Sequence, residues 1–128
     1  MSDKYKNVNV LLVEDDTFLA NIYKTKFEME GFKIISADNG EKGLSEAKKK
    51  KPDIILLDIL LPKMDGFAVL EALKADEGVK EIPVILLTNL GQKDDVEKGL
   101  EMGAVDYMIK AHFKPSEVVS KVVEVLKL

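Results

Sequence analysis

The sequence predicts an α/β fold in which a parallel five-stranded sheet is covered by helices on both faces. Three observations carry that prediction. Strand-like and helix-like segments alternate through five repeats, the order that builds a parallel sheet. Three of the strand-like runs, those around Val10, Ile55 and Ile85, are nearly continuous in apolar residues, as strands buried on both faces must be. Two of these runs stop at a single polar residue, Asp58 and Thr88, where such a strand would end.

Val8 to Val13 is the first strand, halted by Glu14-Asp15-Asp16. From Thr17 to Glu30, the residues Phe18, Leu19, Ile22, Tyr23, Phe27 and Met29 form a broad apolar helical stripe that ends at Gly31. Phe32 to Ala37 is the second strand, and Lys33 and Ser36 within it suit a sheet edge. Asn39-Gly40 opens a short helix through Leu44 and Ala47, and the lysines at 48 to 51 complement the dipole at its C-terminal end. Ile54 to Leu57 is the third strand; Pro62 and Gly66 then break regular structure. Asp65 is placed to cap a helix beginning near Phe67, with Leu70 and Leu73 on its inner side.

Pro83 opens the fourth strand, Val84 to Leu87. Gln92 to Met102 is a weak helix, because its apolar stripe is thin and Gly99 costs about 1 kcal/mol relative to alanine. It is expected to be the most mobile element. Gly103 closes it, and Val105 to Ile109 makes a fifth strand carrying Asp106 and Tyr107. The last helix starts at Pro115 and buries Val118, Val119, Val122, Val125 and Leu126, with Glu117 and Lys121 at pairing distance on its outer face.

The three apolar strands belong in the centre and those with Lys33 and Asp106 at the edges. This gives the order 2-1-3-4-5, a doubly wound, flavodoxin-like sheet. Its reversal falls between the first and third strands, where open α/β sheets bind ligands, and the ends of those strands carry Glu14, Asp15 and Asp58. Taken alone, Asp58 is explained equally well as a capping or turn residue.

Composition narrows the function. Nineteen basic and 23 acidic residues leave a net charge of −4, without general attraction for nucleic acid or anionic lipid, so no direct nucleic-acid contact is expected. The absence of cysteine removes disulfides, thiol catalysis and thiolate metal sites, and the single His112 cannot build a histidine-rich zinc site. No apolar run approaches membrane-spanning length and Met1 to Asn9 is polar, so a cytoplasmic protein without membrane insertion is expected. The 128 residues fit one domain over 1–128; because they end with the last helix, no output domain is expected.

In the 2-1-3-4-5 sheet, Glu14, Asp15, Asp58, Thr88 and Lys110 meet at one end. Three crowded carboxylates repel one another and persist only with a cation or a proton to offset them. Mg2+ suits the set, since it prefers oxygen ligands, needs few from the protein and keeps several waters. Lys110 and Thr88 offer a positive charge and a hydroxyl to the equatorial oxygens of a phosphoryl group, and Asp58 is the candidate nucleophile.

Val-Glu-Asp-Asp at 13 to 16, Asp58 with Leu-Pro-Lys-Met-Asp-Gly at 61 to 66, Thr88, and Gly-Ala-Val-Asp-Tyr-Met-Ile-Lys at 103 to 110 resemble one family at these spacings. It is the receiver domain of two-component response regulators, of the stand-alone chemotaxis type, and the likeness runs from about Val8 to Leu126. The resemblance implies that Asp58 is the phosphoacceptor, Asp15 a direct Mg2+ ligand, Glu14 an acidic-pocket residue acting partly through water, and the Leu60 carbonyl a further ligand. It implies contacts from Thr88 and Lys110 to the phosphoryl group, and makes Tyr107 an aromatic switch that turns inward on activation. The implied partners are a histidine kinase or phosphotransfer protein and an unidentified downstream protein, with the chain a monomer or a phosphorylation-dependent dimer. It would be a signalling domain that catalyses its own phosphorylation and slow dephosphorylation, not a turnover enzyme.

The sequence also departs from that family. Many receivers follow the strand-five lysine with proline, often after a cis peptide, whereas here Ala111-His112-Phe113 follows Lys110. A cis bond before alanine would cost about 3 kcal/mol, so a trans peptide and a rearranged loop are expected. Asn89 is larger than the usual residue and is expected to narrow access to the site. In receivers the positions of Leu60 and Leu90 flank the path of the hydrolytic water, and neither leucine can orient it, so slow self-dephosphorylation is expected. Asp16 is read as a helix cap and His112 as an exposed loop residue. One alternative is a haloacid-dehalogenase-like phosphatase with Asp58 as transient nucleophile, but its second aspartate would fall at Leu60. Another is a pseudo-receiver interaction module, which the full set of polar residues disfavours.

Overall fold

The computed structural model describes residues 4–128, so the first three residues of the polar N-terminal segment lie outside it. Its strands are β1 (Asn9–Val13), β2 (Lys33–Ala37), β3 (Ile54–Leu57), β4 (Val84–Thr88) and β5 (Asp106–Ile109). All pair in parallel, in the order β2-β1-β3-β4-β5. The helices between and after them are α1 (Thr17–Met29), α2 (Gly40–Lys50), α3 (Gly66–Ala75), α4 (Lys93–Glu101) and α5 (Pro115–Leu126). This is the flavodoxin-like double winding that the sequence predicts, with β2 and β5 at the edges.

Alternation along the strands splits the core into two layers, because successive side chains point to opposite faces. Val10, Leu12, Ile54, Leu56, Ile85 and Leu87 face α1 and α5, where Tyr23, Phe27, Val118 and Val122 meet them. Leu11, Val13, Ile55, Leu57 and Leu86 face the other way, onto Ala47 of α2 and Val69, Leu70 and Leu73 of α3.

Helix starts follow the side chains available to cap them. Asp16 accepts from the Leu19 N–H at 3.0 Å, Asn39 from Lys42 at 2.9 Å and Asp65 from Ala68 at 3.0 Å. Asp16 and Asp65 are thus the caps their positions predict. Gln92, before α4, makes no side-chain capping bond.

Two expectations about helix faces are corrected. The α1 stripe divides: Ala20, Tyr23 and Phe27 are buried, but Phe18 is 73% exposed and Met29 58%. The stripe is wider than the face that the sheet can shelter, so its remainder lines a surface groove with Pro115 and Ser116. On α5 the pair Glu117–Lys121 does not form, because each charge is engaged elsewhere. Glu117 Oε1 accepts from its own helix's Lys114 N–H at 2.8 Å, and Lys121 pairs with Asp106 at 3.1 Å and Glu124 at 2.9 Å. Among the described residues no helix is long and apolar enough to cross a membrane.

Candidate functional site

Strand register brings the site together. Val13 lies opposite Leu57, so Glu14 and Asp58 emerge side by side where β1 and β3 stop, and the Asp58 N–H donates to the Val13 carbonyl at 3.1 Å. Thr88 pairs in register with Ile109, which sets Lys110 just beyond the end of β5 at the same edge. Glu14, Asp15 and Asp58 each present a carboxylate oxygen within 4.8 Å of the others. Glu14 and Asp58 are buried, at 2% and 5% exposure, while Asp15 faces solvent.

One ammonium serves this cluster. Lys110 Nζ donates to Asp58 Oδ2 at 2.6 Å and forms an ion pair with Glu14. Burial works against the charged lysine, but its hydrogen bonds to Asp58 and Glu14 outweigh that and hold its pKa above the usual lysine value. Burial pushes the Glu14 carboxyl up, opposed by the hydrogen bond from Lys110 and by the Asp16 N–H, which donates to Glu14 Oε2 at 3.0 Å. Glu14 Oε1 is buried and, beyond its ion pair with Lys110, has no well-aligned hydrogen bond. One cation against three carboxylates leaves the pocket negative. An all-oxygen set, an incompletely satisfied buried carboxylate and an open side at Asp15 together fit a hard cation such as Mg2+.

The loop after β3 forms one wall. The Leu60 N–H donates to Asp58 Oδ1 at 3.2 Å and the Gly66 N–H to the Ile59 carbonyl at 2.9 Å. Any Cβ at position 66 would collide with the Asp58 carbonyl oxygen, so α3 can begin this close to the site only on glycine. Leu60 is exposed, and with Asp15, Leu61, Phe67 and Leu90 it lines a cleft beside the acids.

The other wall follows β4. Thr88 is fully buried, and its Oγ1 accepts from the Leu90 N–H at 3.2 Å; it makes no hydrogen bond to Asp58 or Lys110. The Tyr107 hydroxyl donates to the Leu90 carbonyl, which draws the ring toward this loop. Burial, then the charges of Asp95 and Asp58, push the Tyr107 hydroxyl up to about 12. Asn89 has a role that its sequence position did not signal: its Oδ1 accepts from the Ala111 N–H at 3.0 Å, tying the loop after β4 to the loop after β5. The Lys110–Ala111 peptide is trans, and Lys110–His112 forms a short 3-10 turn with His112 exposed, as expected.

A family described as the response regulator receiver domain matches residues 10–123. The chain belongs to that family. Receiver domains are signalling domains and not classical enzymes. The chain is 38% identical over 118 residues to the DNA-binding dual master transcriptional regulator RpaA of Synechocystis, covering 92% of this chain and 48% of that protein. It is 36% identical over 121 residues to the alkaline phosphatase synthesis transcriptional regulatory protein PhoP of Bacillus subtilis, covering 94% of this chain and 49% of that protein. Among solved structures, a Francisella response regulator 1452 receiver domain superposes with a TM-score of 0.87 at 31% identity, covering 94% of this chain and 98% of that one.

These relatives correct one expectation. The absence of direct nucleic-acid contact was inferred from the net charge of −4, yet RpaA is by name DNA-binding and PhoP a transcriptional regulatory protein. The receiver spans about half the length of the curated relatives it matches. The charge of 128 residues describes those residues and carries no information about the remainder of such a regulator.

Proposed function

We propose that this receiver takes a phosphoryl group onto Asp58 from a histidine kinase or phosphotransfer protein and signals by changing its affinity for a protein partner. The observation that carries this reading is the Asp58 carboxylate, buried at a strand end and held by Lys110 beside two further acids that fit a dication. A carboxylate oxygen of Asp58 attacks phosphorus, and the donor's bond breaks with its electron pair passing to the leaving group. Lys110, already on Asp58 Oδ2, lies where an added phosphoryl oxygen needs positive charge. Thr88 supplies a hydroxyl from the end of β4.

Asp15, Asp58, Glu14 and the Leu60 carbonyl would hold Mg2+, which when bound neutralises charge on the transferred group. The Glu14 ion pair keeps Lys110 over the pocket, and the Leu60 N–H fixes the Asp58 rotamer. Thr88 and Tyr107 reach the same loop at Leu90, through its N–H and its carbonyl, so a pull on Thr88 alters the seat of Tyr107, the proposed switch. The phosphoryl group then selects the arrangement that binds it better.

The phosphatase alternative has no support at position 60, where Leu60 is exposed and carries no acid or base. Incubation with acetyl phosphate and Mg2+ followed by intact mass should add one phosphoryl group to the wild type and none to Asp58→Asn. An unmodified wild type, or a modified Asp58→Asn, would contradict the assignment.

A further inference from the structure

The single buried position on α4 is Gly99. A Cβ built there would collide with Leu86 Cδ1 and lie 3.2 Å and 3.4 Å from Tyr107 Cδ2 and Cε2. The helix therefore rests on the sheet by its backbone, with its glycine directly over Leu86 and over the edge of the Tyr107 ring. That ring is held at a second point by its hydroxyl on the Leu90 carbonyl, in the loop that leads into α4. Helix propensity argues against glycine here, since alanine is the better helix former. Close approach to Leu86 and Tyr107 argues for it.

We infer that Gly99 is a positioning residue: by having no side chain, it sets how closely α4 approaches β5 and keeps the Tyr107 ring beneath the helix. A methyl group added at 99 has two neighbours to displace. Leu86 is fully buried in the core layer against α3 and has nowhere to go. With Leu86 fixed the helix must lift, and Tyr107, half-buried on an edge strand, is the neighbour with room to shift. Gly99 thus determines whether Tyr107 and the loop after β4 move as one unit with α4. The inference rests on the phosphoacceptor reading only where the setting of Tyr107 is taken to report the state of Asp58.

The test uses the full chain and NMR signals of the Tyr107 ring, assigned with Tyr107→Phe, together with amide exchange over residues 93–101. In Gly99→Ala the ring signals should move to solvent-exposed values, and α4 amides should exchange about tenfold faster. In the Tyr107→Ala background the same alanine should have a smaller effect, because only the collision with Leu86 remains. Gly99→Ala with Leu86→Val relieves the closest collision and protects folding; the ring should still be displaced in it. Unchanged ring signals in both variants, full recovery with Leu86→Val, or an equal alanine effect with and without the Tyr107 side chain would each overturn the inference. Phosphoryl uptake on Asp58 is followed in the same samples. A wild type that takes none sinks the phosphoacceptor reading, while the ring signals and the double-mutant comparison still decide the role of Gly99.

Discussion

Helices α3 and α4 each follow a strand that ends in a site residue, Asp58 and Thr88, yet they are held in opposite ways. α3 is capped by Asp65, seats Gly66 against the Asp58 backbone and buries Val69, Leu70 and Leu73. Full burial of such side chains is worth about 1.5–3 kcal/mol each. α4 has no side-chain cap and buries only Gly99, its other grip being Lys98, whose Nζ lies 4.2 Å from the centre of the Phe67 ring on α3. An exposed contact of that kind contributes about 0.5–1 kcal/mol. The site therefore has one fixed wall, which shapes the acids, and one loosely held wall, which carries Leu90 and touches Tyr107. The proposed signalling needs both: a rigid wall around Asp58 and an element with little to lose by moving.

Core truncation gives the widest separation between the walls. Leu70→Ala should cost about 3 kcal/mol in denaturant unfolding, as a fully buried leucine does, whereas Leu100→Ala on the exposed side of α4 should cost under about 0.5 kcal/mol. Comparable losses would erase the distinction. Removing the central cation comes next. Lys110→Met should cost about 2 kcal/mol, below the roughly 3–5 kcal/mol of a wholly buried pair, because water enters beside Asp15 and the acids can take up protons. Glu14→Gln, which relieves crowding among the carboxylates, should be neutral or stabilising in the same assay without Mg2+.

Leu60 and Leu90 line the cleft from the two walls, and neither orients water. Leu60→Asn with Leu90→Glu should speed loss of radiolabelled phosphate by about tenfold or more; an unchanged lifetime would remove the leucines from the explanation. Capping tests the walls more finely. Asp65→Ala should destabilise by about 1 kcal/mol, and Gln92→Ser should slow amide exchange in α4 by supplying the missing cap.

The last effect is a pH dependence. Tyr107 has its pKa raised from 10 to about 12, so the folded state favours the neutral ring. Its contribution is whole below pH 10 and is lost as pH rises toward 12. Lys110, also raised, has the same sign, its contribution being lost above its usual value of 10.5. Tyr107→Phe should therefore flatten only part of the alkaline fall in unfolding stability, and an identical fall in both proteins would contradict the burial of that hydroxyl.

Most of the fold was legible because the three central strands announce themselves by apolar continuity and a polar stop, and the two edge strands by the polar residues that interrupt them. The acids, Lys110 and the caps Asp16 and Asp65 were legible for the same reason, since they occupy ends of elements. Periodicity did not reveal that Phe18 and Met29 face outward, because it measures the width of a stripe and not the width of the shelter above it. Propensity counted Gly99 as a weakness, since it is blind to the Leu86 and Tyr107 side chains that leave no room for a Cβ. The Asn89 bond to Ala111 joins two loops 22 residues apart, and no local pattern encodes it.

The division into a fixed and a loosely held wall is tested most directly by amide exchange of the full chain with and without Mg2+ and beryllofluoride, a stable phosphoryl mimic. The expected result is altered exchange over Lys93–Glu101 and the loop at Leu90, with Gly66–Ala75 unchanged. Equal change in both helices, or none in α4 while the mimic is bound, would contradict it.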